Sequence, residues 1–316
     1  MPRFDVTIAG ELNLDLILYG LPAELPRERE LLADRMMLTL GSSSAIVGHN
    51  LACLGSRVGF QSRIGNDELG EIALRRLSES GVDTSRVRRA DDPTTGITVI
   101  LQHDRWRNIL TYPGAIFEIT MCDLEIDYLS EAHHFHLSSF YLQSGLRPEV
   151  PKLFRRLKAA GLTTSLDTND DPEDRWTDVR AVLPHVDVFL LNRREACKIA
   201  GTDDLEPAIH QLSRLVPIVV VKLGPNGAIA QRGNQKLECP GVKVDAVDPV
   251  GAGDSFDAGF LHQYVRGADL ATCLCWGNLA GALSTTRPGG TEAFRQRDHR
   301  ERFFRAHTGD CHFERS

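Results

Sequence analysis

Residues 247–259 read VDPVGAGDSFDAG, in which Gly251-Ala252-Gly253 is followed at once by Asp254 and a run of helical character. Three uses compete for such a stretch: a nucleotide-binding turn, a bend in a strand, or an anion hole with its own base. A dinucleotide fingerprint needs a third glycine three residues after the second. Counted from Gly253 that position is Phe256, and Gly259 comes too late. A Walker A loop ends in Gly-Lys-Ser/Thr, a tripeptide that occurs nowhere in the chain. The anion hole survives. Small residues let the backbone N–H groups of Gly251, Ala252 and Gly253 converge, and the helix expected over SFDAGFLHQYV aims its positive end at the same point. A carboxylate beside a hole for anions makes sense if it takes a proton from a hydroxyl that attacks a phosphate. Asp254 is then a general base, and the hole holds the phosphoryl group in transfer. The plainer alternative is a glycine turn with Asp254 as helix N-cap. The segment alone leaves both open.

Outward from this stretch the text has a regular rhythm. FDVTIAG (4–10) reads as a strand, and GSSSAIVGHNLACLG (41–55) as a glycine–serine loop that turns into a helix. SRVGFQSRIG is a strand, and NDELGEIALRRLSESG a helix capped by Asn66 or Asp67 and closed by Gly81. HHFHLSSF, LTTSLDTN, VDVFLLN and IVVVKLG are short apolar strands separated by helical text such as RPEVPKLFRRLKAAG. That alternation predicts a parallel sheet wrapped by helices. Residues 11–40 are irregular, while 94–102 and 107–114 read as a hairpin; the segments 11–40 and 94–115 are expected to project as a small sheet. The expected organisation is one α/β domain over 1–306, with a polar tail over 307–316. Ligands in such folds bind beyond the carboxyl ends of the strands. This directs attention to residues 10–15, 167–169, 192–195, 222–227 and 248–254.

Composition narrows the classes. Of 316 residues 42% are hydrophobic and 25% charged, as in ordinary globular proteins. A net charge of -7 argues against nucleic acid as a partner. The arginines at 295, 297, 300, 302 and 305 are interrupted by Asp298 and Glu301, so they read as a solvated helix face. Acidic residues break the first apolar runs, which therefore read neither as a signal peptide nor as a membrane span. Seven scattered cysteines without a CxxC pair suggest reduced thiols and a cytoplasmic location. His134 and His136 share one face of a strand and His133 the other. No carboxylate or cysteine stands at ligand spacing, so packing is expected there rather than a metal.

With these motifs in order, the chain resembles the ribokinase-like superfamily, the phosphofructokinase-B-type carbohydrate kinases, from about residue 5 to residue 300. DPVGAGDSF (248–256) is close to the family's C-terminal signature, which places Asp254 and the Gly251-Ala252-Gly253 turn at the catalytic centre. GELNLDLI (10–17) is similar to its first substrate loop, implying that Asn13 and Asp15 hold substrate hydroxyls. Gly41, Ser42 and Ser43 of the glycine–serine loop, and Arg107, join the substrate side. IGNDELGEIALRRLSESGVDTSRV (64–87) resembles the signature helix and the turn after it. NRREA (192–196) fits an Asn-x-x-Glu motif, which puts Asn192 near the nucleotide phosphates and Glu195 on magnesium through water. KLGPNGAIA (222–230), with Lys222, Gly224 and Gly227, resembles the loop beside the nucleotide. NLAGALSTTRPGG (278–290) resembles the adenine-side helix, with Asn278, and an adjoining loop for a monovalent cation such as K+. Asp248, Val250, Arg287 and Gly289 would hold that ion. The resemblance implies a three-layer ribokinase-like core with a small β-sheet lid, ATP and Mg2+ as cofactors, and a sugar or nucleoside as acceptor. It also implies a homodimer formed through the lid.

There are departures. The family's upstream signature has paired glycines and an asparagine four residues after the second; here Ser42 follows Gly41, and Ile46 stands where the asparagine belongs. Ile46 is therefore expected to face an apolar or flat part of the acceptor, the alternative being that it only packs its helix. Asn50, one helical turn on, need not take over. Asp170 and Asp171 stand where sugar-acid kinases of the family often carry a basic residue, which argues against an acidic acceptor. Two other classes compete with a kinase: a ligand sensor that keeps the fold, and a nicotinamide-dependent oxidoreductase, which the failed fingerprint disfavours.

Overall fold

Alternating side chains decide the architecture. In the strand Val188–Asn192, Val188 and Leu190 are buried on one side, and Phe189 and Leu191 on the other. A strand covered on both faces reads as a continuous apolar run, and its sheet needs helices on both sides. The chain supplies them. The structure, a computed structural model, describes residues 2–103, 106–310 and 314–315. Its elements in order are β1 (Phe4–Ala9), β2 (Leu14–Tyr19), β3 (Arg35–Leu40), α1 (Ser43–Cys53), β4 (Val58–Gly65), α2 (Glu68–Ser78), β5 (Asp83–Ala90), β6 (Ile97–Gln102), β7 (Arg107–Tyr112) and α3 (Ile126–Leu129). β8 (Ala132–Leu137), α4 (Val150–Ala159), β9 (Thr163–Asp167), β10 (Val188–Asn192), α5 (Arg193–Ala200), α6 (Leu205–Leu212) and β11 (Ile218–Lys222) follow. The chain then runs through β12 (Ala228–Arg232), β13 (Gln235–Cys239), α7 (Ala252–Tyr264), α8 (Leu270–Thr285), α9 (Glu292–Arg295), α10 (Arg297–His307) and β14 (Glu314–Arg315).

The large sheet has the order β14-β13-β12-β11-β10-β9-β8-β1-β4-β5. From β11 to β5 every pairing is parallel, and β12, β13 and β14 add antiparallel strands at one edge. One core lies between this sheet and α1, α2, α7 and α8; the other lies against α4, α5 and α6. These are the three layers expected. β1 leads to β4 in one direction, while β8 leads to β9, β10 and β11 in the other. The neighbours β1 and β8 therefore mark the switch point, where loops diverge and leave a crevice.

The second sheet has the order β3-β2-β6-β7 and contains both projecting segments. β2 pairs β3 antiparallel and β6 parallel, and β6 and β7 form the expected hairpin. The register puts Asp15, Ile17 and Tyr19 of β2 on one face with Thr39, Thr98, Ile100, Ile109 and Thr111. That face turns toward the large sheet, since Ile17, Tyr19 and Ile100 pack against Val250.

Other expectations meet the structure as follows. Asp67, not Asn66, caps α2, its carboxylate accepting from Gly70 N–H at 2.8 Å. The segment expected as a polar tail carries β14 along β13. His134 and His136 are buried and share the Ser165 hydroxyl, at 2.7 and 2.8 Å. Among the described residues no cluster of His, Cys, Asp and Glu is suited to hold a metal ion. Cys53, Cys122, Cys197, Cys239 and Cys273 are free thiols. Among the described residues no helix is long and apolar enough to cross a membrane.

Candidate active site

α7 begins without a side-chain cap. Its N-cap is Gly251, left-handed at φ 72°, where a Cβ would sit 2.5 Å from the Cα of Gly290. The two backbones touch, so the turn tolerates only glycine. Ala252 N–H reaches the Pro249 carbonyl at 3.3 Å, and the N–H groups of Gly253 and Asp254 find no acceptor among the described residues. A Cβ on Gly253 would meet nothing closer than Lys222 Nζ at 3.6 Å, so the space above this first turn is open. Two free donors at the positive end of a 13-residue helix form a ready site for an anion. The N-cap alternative for Asp254 fails, because it lies inside the helix and Gly251 holds the cap.

Asp254 is buried beside these donors. Burial first, then the charge of Asp167, pushes its carboxyl up to about 6, while Lys222 and Ser43 pull the other way. Ser43 is held by Asn169, whose amide donates to its hydroxyl at 2.8 Å. Below the turn, Lys222 at the end of β11 contacts Asp167 at 2.7 Å and Asp257 at 3.1 Å. Burial opposes charge on Lys222, but Asp167 first and then Asp257 outweigh it and raise its ammonium above the usual lysine range. Asp167 is held below the usual range, despite its burial, by Lys222 and by a bond from Asp257. Burial, then the charge of Asp167, raises Asp257 well above the usual range, while Lys222 opposes.

Across the gap lies the small sheet. Asn13 and Asp15 stand at the start of β2, and Gly41 faces them so closely that a Cβ there would lie 2.2 Å from Asp15 Oδ1 and 2.8 Å from Asn13 Oδ1. Burial, followed by Asp254 and Asp248, pushes Asp15 up to about 7; Arg107 opposes. Asn13 donates to Thr98 at 3.3 Å, and its buried Oδ1 has no partner.

With this geometry in place, a model of the pfkB family of carbohydrate kinases matches residues 4–297. The chain belongs to that family. It is an enzyme, a phosphotransferase with an alcohol group as acceptor, and within the family a sugar or nucleoside kinase. An ATP-dependent ribose-1-phosphate kinase of Halopiger xanaduensis is 31% identical over 292 residues, covering 91% of this chain and 94% of its own. A nucleoside kinase of Methanothermobacter thermautotrophicus is 30% identical over 293 residues, with 89% and 88% covered. An E. coli protein solved in complex with ATP and Mg2+ shares the fold at a TM-score of 0.83, with 24% identity over 96% of this chain and 100% of that one.

In the pfkB fold of this chain, a cavity of about 500 Å³ adjoins the α7 turn. Val242, Val244, Pro249 and Ala282 line it, with Lys222, Gly224, Gly227, Gly253 and Asn278 at its polar margin. Asn278 fastens one wall by donating to the Cys239 and Pro240 carbonyls, both at 3.0 Å. Gly227 is forced, since a Cβ there would lie 2.0 Å from the Cys239 carbonyl oxygen. Asn192 and Glu195 form a capping box on α5: Glu195 N–H donates to Asn192 at 2.9 Å, and Asn192 donates its N–H to Glu195 at 2.8 Å and its amide to the same carboxylate. Burial and then Asp167 push Glu195 up to about 8. Asp248 accepts from Val250 N–H at 2.9 Å, Gly289 N–H at 3.0 Å and the Tyr19 hydroxyl at 2.7 Å.

Not every expected residue stands as read. Ile46 is buried against the glycine turn at the head of α7, and a Cβ on Gly290 would lie 2.7 Å from its Cδ1. The side chain packs against Gly251 and Gly290, which favours the packing alternative. Asn50 does take over a polar tie, donating to Ser255 at 2.9 Å and the Gly290 carbonyl at 3.0 Å. Asp171 ties a turn by accepting from the N–H groups of Glu173, Arg175 and Trp176. Ser42, at φ 58°, bonds the Glu11 carbonyl at 2.8 Å. Arg107 and Arg287 are exposed, the former reaching Asp15 only through its charge. Sequence reading missed Glu11, Asp257 and Tyr19. Glu11 is buried with Ser44 at 2.7 Å on its carboxylate, and a glutamate straight after a strand-ending glycine was the available signal.

Proposed function

We propose that this kinase moves the terminal phosphoryl group of ATP to a hydroxymethyl group of a sugar or sugar derivative, with Asp254 as general base. The observation that carries the reading is Asp254 itself: buried beside two free N–H donors, with an ionisation near neutrality where a base works best. Asn13 and Asp15 orient the acceptor hydroxyls, and Gly41 and Ser43 shape the loop around them. Asp254 takes the proton of the attacking hydroxyl. The N–H groups at the head of α7 receive the charge that develops on the transferred group, a contribution of about 10²–10³ in rate per donor.

The cavity beside α7 and its glycine margins fit ATP. When bound, ATP supplies the phosphoryl group, and Mg2+ spreads the charge of its phosphates. The described residues build no metal cage of their own, which suits an ion held through water by Glu195 and by phosphate oxygens. Potassium fits less well. Asp248 already accepts three hydrogen bonds, which leaves the carbonyls of Val250, Arg287 and Gly289, and no step here depends on that ion.

A nucleoside acceptor is a second reading. Ile109 lies half-exposed on the inner face of the small sheet, in line with Ile100 and Ile17, where a flat base would cover it. ADP release with MgATP across neutral sugars, sugar acids and nucleosides tests both readings. A sugar or nucleoside that yields equimolar ADP and phosphorylated product is expected; binding of ATP without turnover on any of them would leave only a ligand sensor.

A further inference from the structure

One strand of the small sheet touches both halves of the reaction. β2 carries Asp15 near its start, at the acceptor site, and ends with Tyr19, whose hydroxyl donates to Asp248 Oδ2 at 2.7 Å. Asp248 is the first residue of the turn that becomes the anion hole. Its other oxygen accepts from Val250 N–H, the residue before Gly251, and Oδ2 also accepts from Gly289 N–H, next to the Gly290 that backs the hole. The Tyr19 ring lies with Ile17 and Ile100 against the Val250 side chain, and Arg35 stacks over it at 4.3 Å. A second tie runs alongside: Thr39 of β3 packs against Gly289 and donates to Glu292 at 2.9 Å, and Glu292 pairs with Arg76 at 3.0 Å. The small sheet is therefore fastened to both stretches of backbone, 248–251 and 287–292, that form the hole.

We infer that Tyr19 is a positioning residue for phosphoryl transfer: through Asp248 it sets the 248–251 turn from the acceptor side. This rests on the kinase reading above. The charge on Asp248 is shared among three donors, and the Tyr19 hydroxyl is the one that comes from the acceptor side. Without it the carboxylate is free to turn toward solvent or toward its two backbone partners alone. The N–H groups at the head of α7 then lose their fixed aim. The consequence is coupling. Acceptor held by Asn13 and Asp15 bears on β2, β2 holds Asp248, and Asp248 steadies the hole around the acceptor hydroxyl; a water in place of the acceptor makes none of these contacts with β2.

Tyr19→Phe removes one oxygen and leaves the ring packed on Val250. With the best acceptor from the kinase screen, kcat should fall about ten- to a hundredfold, as for a lost hydrogen bond to a charged group, with the KM for ATP unchanged. Acceptor-free ATP hydrolysis should fall less, so the ratio of hydrolysis to transfer rises about tenfold. Asp248→Asn should lower kcat as well, and adding Tyr19→Phe to it should cost little more, because the two act as a unit. Hydrogen exchange, which needs no turnover, should show the Val250 and Gly289 amides exchanging faster in Tyr19→Phe than in the wild type. Normal kcat and normal amide protection in Tyr19→Phe would overturn the inference. So would fully multiplicative losses in the double variant. A wild-type protein inert toward every acceptor defeats the kinase reading instead, and the exchange result still decides the latch.

Discussion

Asp254, the proposed base, shows how a side chain placed for chemistry would oppose the fold that holds it. Its carboxyl is raised from 3.8 to about 6, chiefly by burial. A raised carboxyl gives its full stability below the unfolded value, and that stability is lost as pH rises through the folded one. Between about pH 4 and 6 the protein therefore loses stability as this group ionises, and Asp15, raised to about 7, extends the loss upward. Asp254→Asn should then melt higher than the wild type at pH 8 while its turnover drops by about 10² or more. Thermal melts and turnover on the same preparation test both halves; unchanged turnover would remove Asp254 as the base. The wild-type kcat/KM should rise with pH through about 6 to 7, with two overlapping steps because Asp15 and Asp254 sense each other. Ser43→Ala, which takes away a group that lowers Asp254, should move the lower step upward.

At the scale of elements, the head of α7 separates two glycines that look alike in sequence. Gly251→Ala places a Cβ at φ 72° and 2.5 Å from backbone, and should destabilise the protein by about 1–3 kcal/mol. Gly253→Ala meets only a lysine tip at 3.6 Å, so it should fold normally. Its methyl enters the space of the anion, and turnover should fall by about 10². Equal melting temperatures for the two variants would contradict this assignment. The same contrast shows what could be read beforehand. Strands that end in glycine, helices with capping pairs and the Gly-Ala-Gly-Asp order were legible because local chemistry dictates them. The packing partner of Ile46 was not legible because nothing local reveals that its side chain points at Gly290, which lies 244 positions further along the chain. Asp257 and Tyr19 were missed for the same reason. Their partners, Lys222 and Asp248, are brought to them by the sheet order and by the docking of the small sheet. Strand β5 was missed because its mostly polar text, DTSRVRRA, shows no core-facing alternation at the sheet edge.

For the whole molecule, the small sheet poses a problem that one chain does not solve. Its inner face packs on Val250 and turns toward the proposed acceptor site. By register its outer face carries Leu16, Leu18, Met36, Leu38, Val99, Leu101, Leu110 and Tyr112. Met36 is 61% exposed, Leu110 54% and Tyr112 50%. An apolar sheet face of this extent is unusual on a monomer, and β7 also presents an unpaired edge to solvent. The proposed lid would meet both conditions by pairing with the same sheet of a second copy. Each lid would then be braced by the other, keeping water from the phosphoryl group without ordering a flexible flap from scratch. Sedimentation at micromolar concentration should give twice the chain mass. Leu110→Asp on the outer face should yield a monomer with little change in melting of the large sheet, and with a higher KM for the acceptor than for ATP relative to wild type. A wild-type monomer at those concentrations would end the dimer while leaving the chemistry at Asp254 untouched, since every residue placed there comes from one chain.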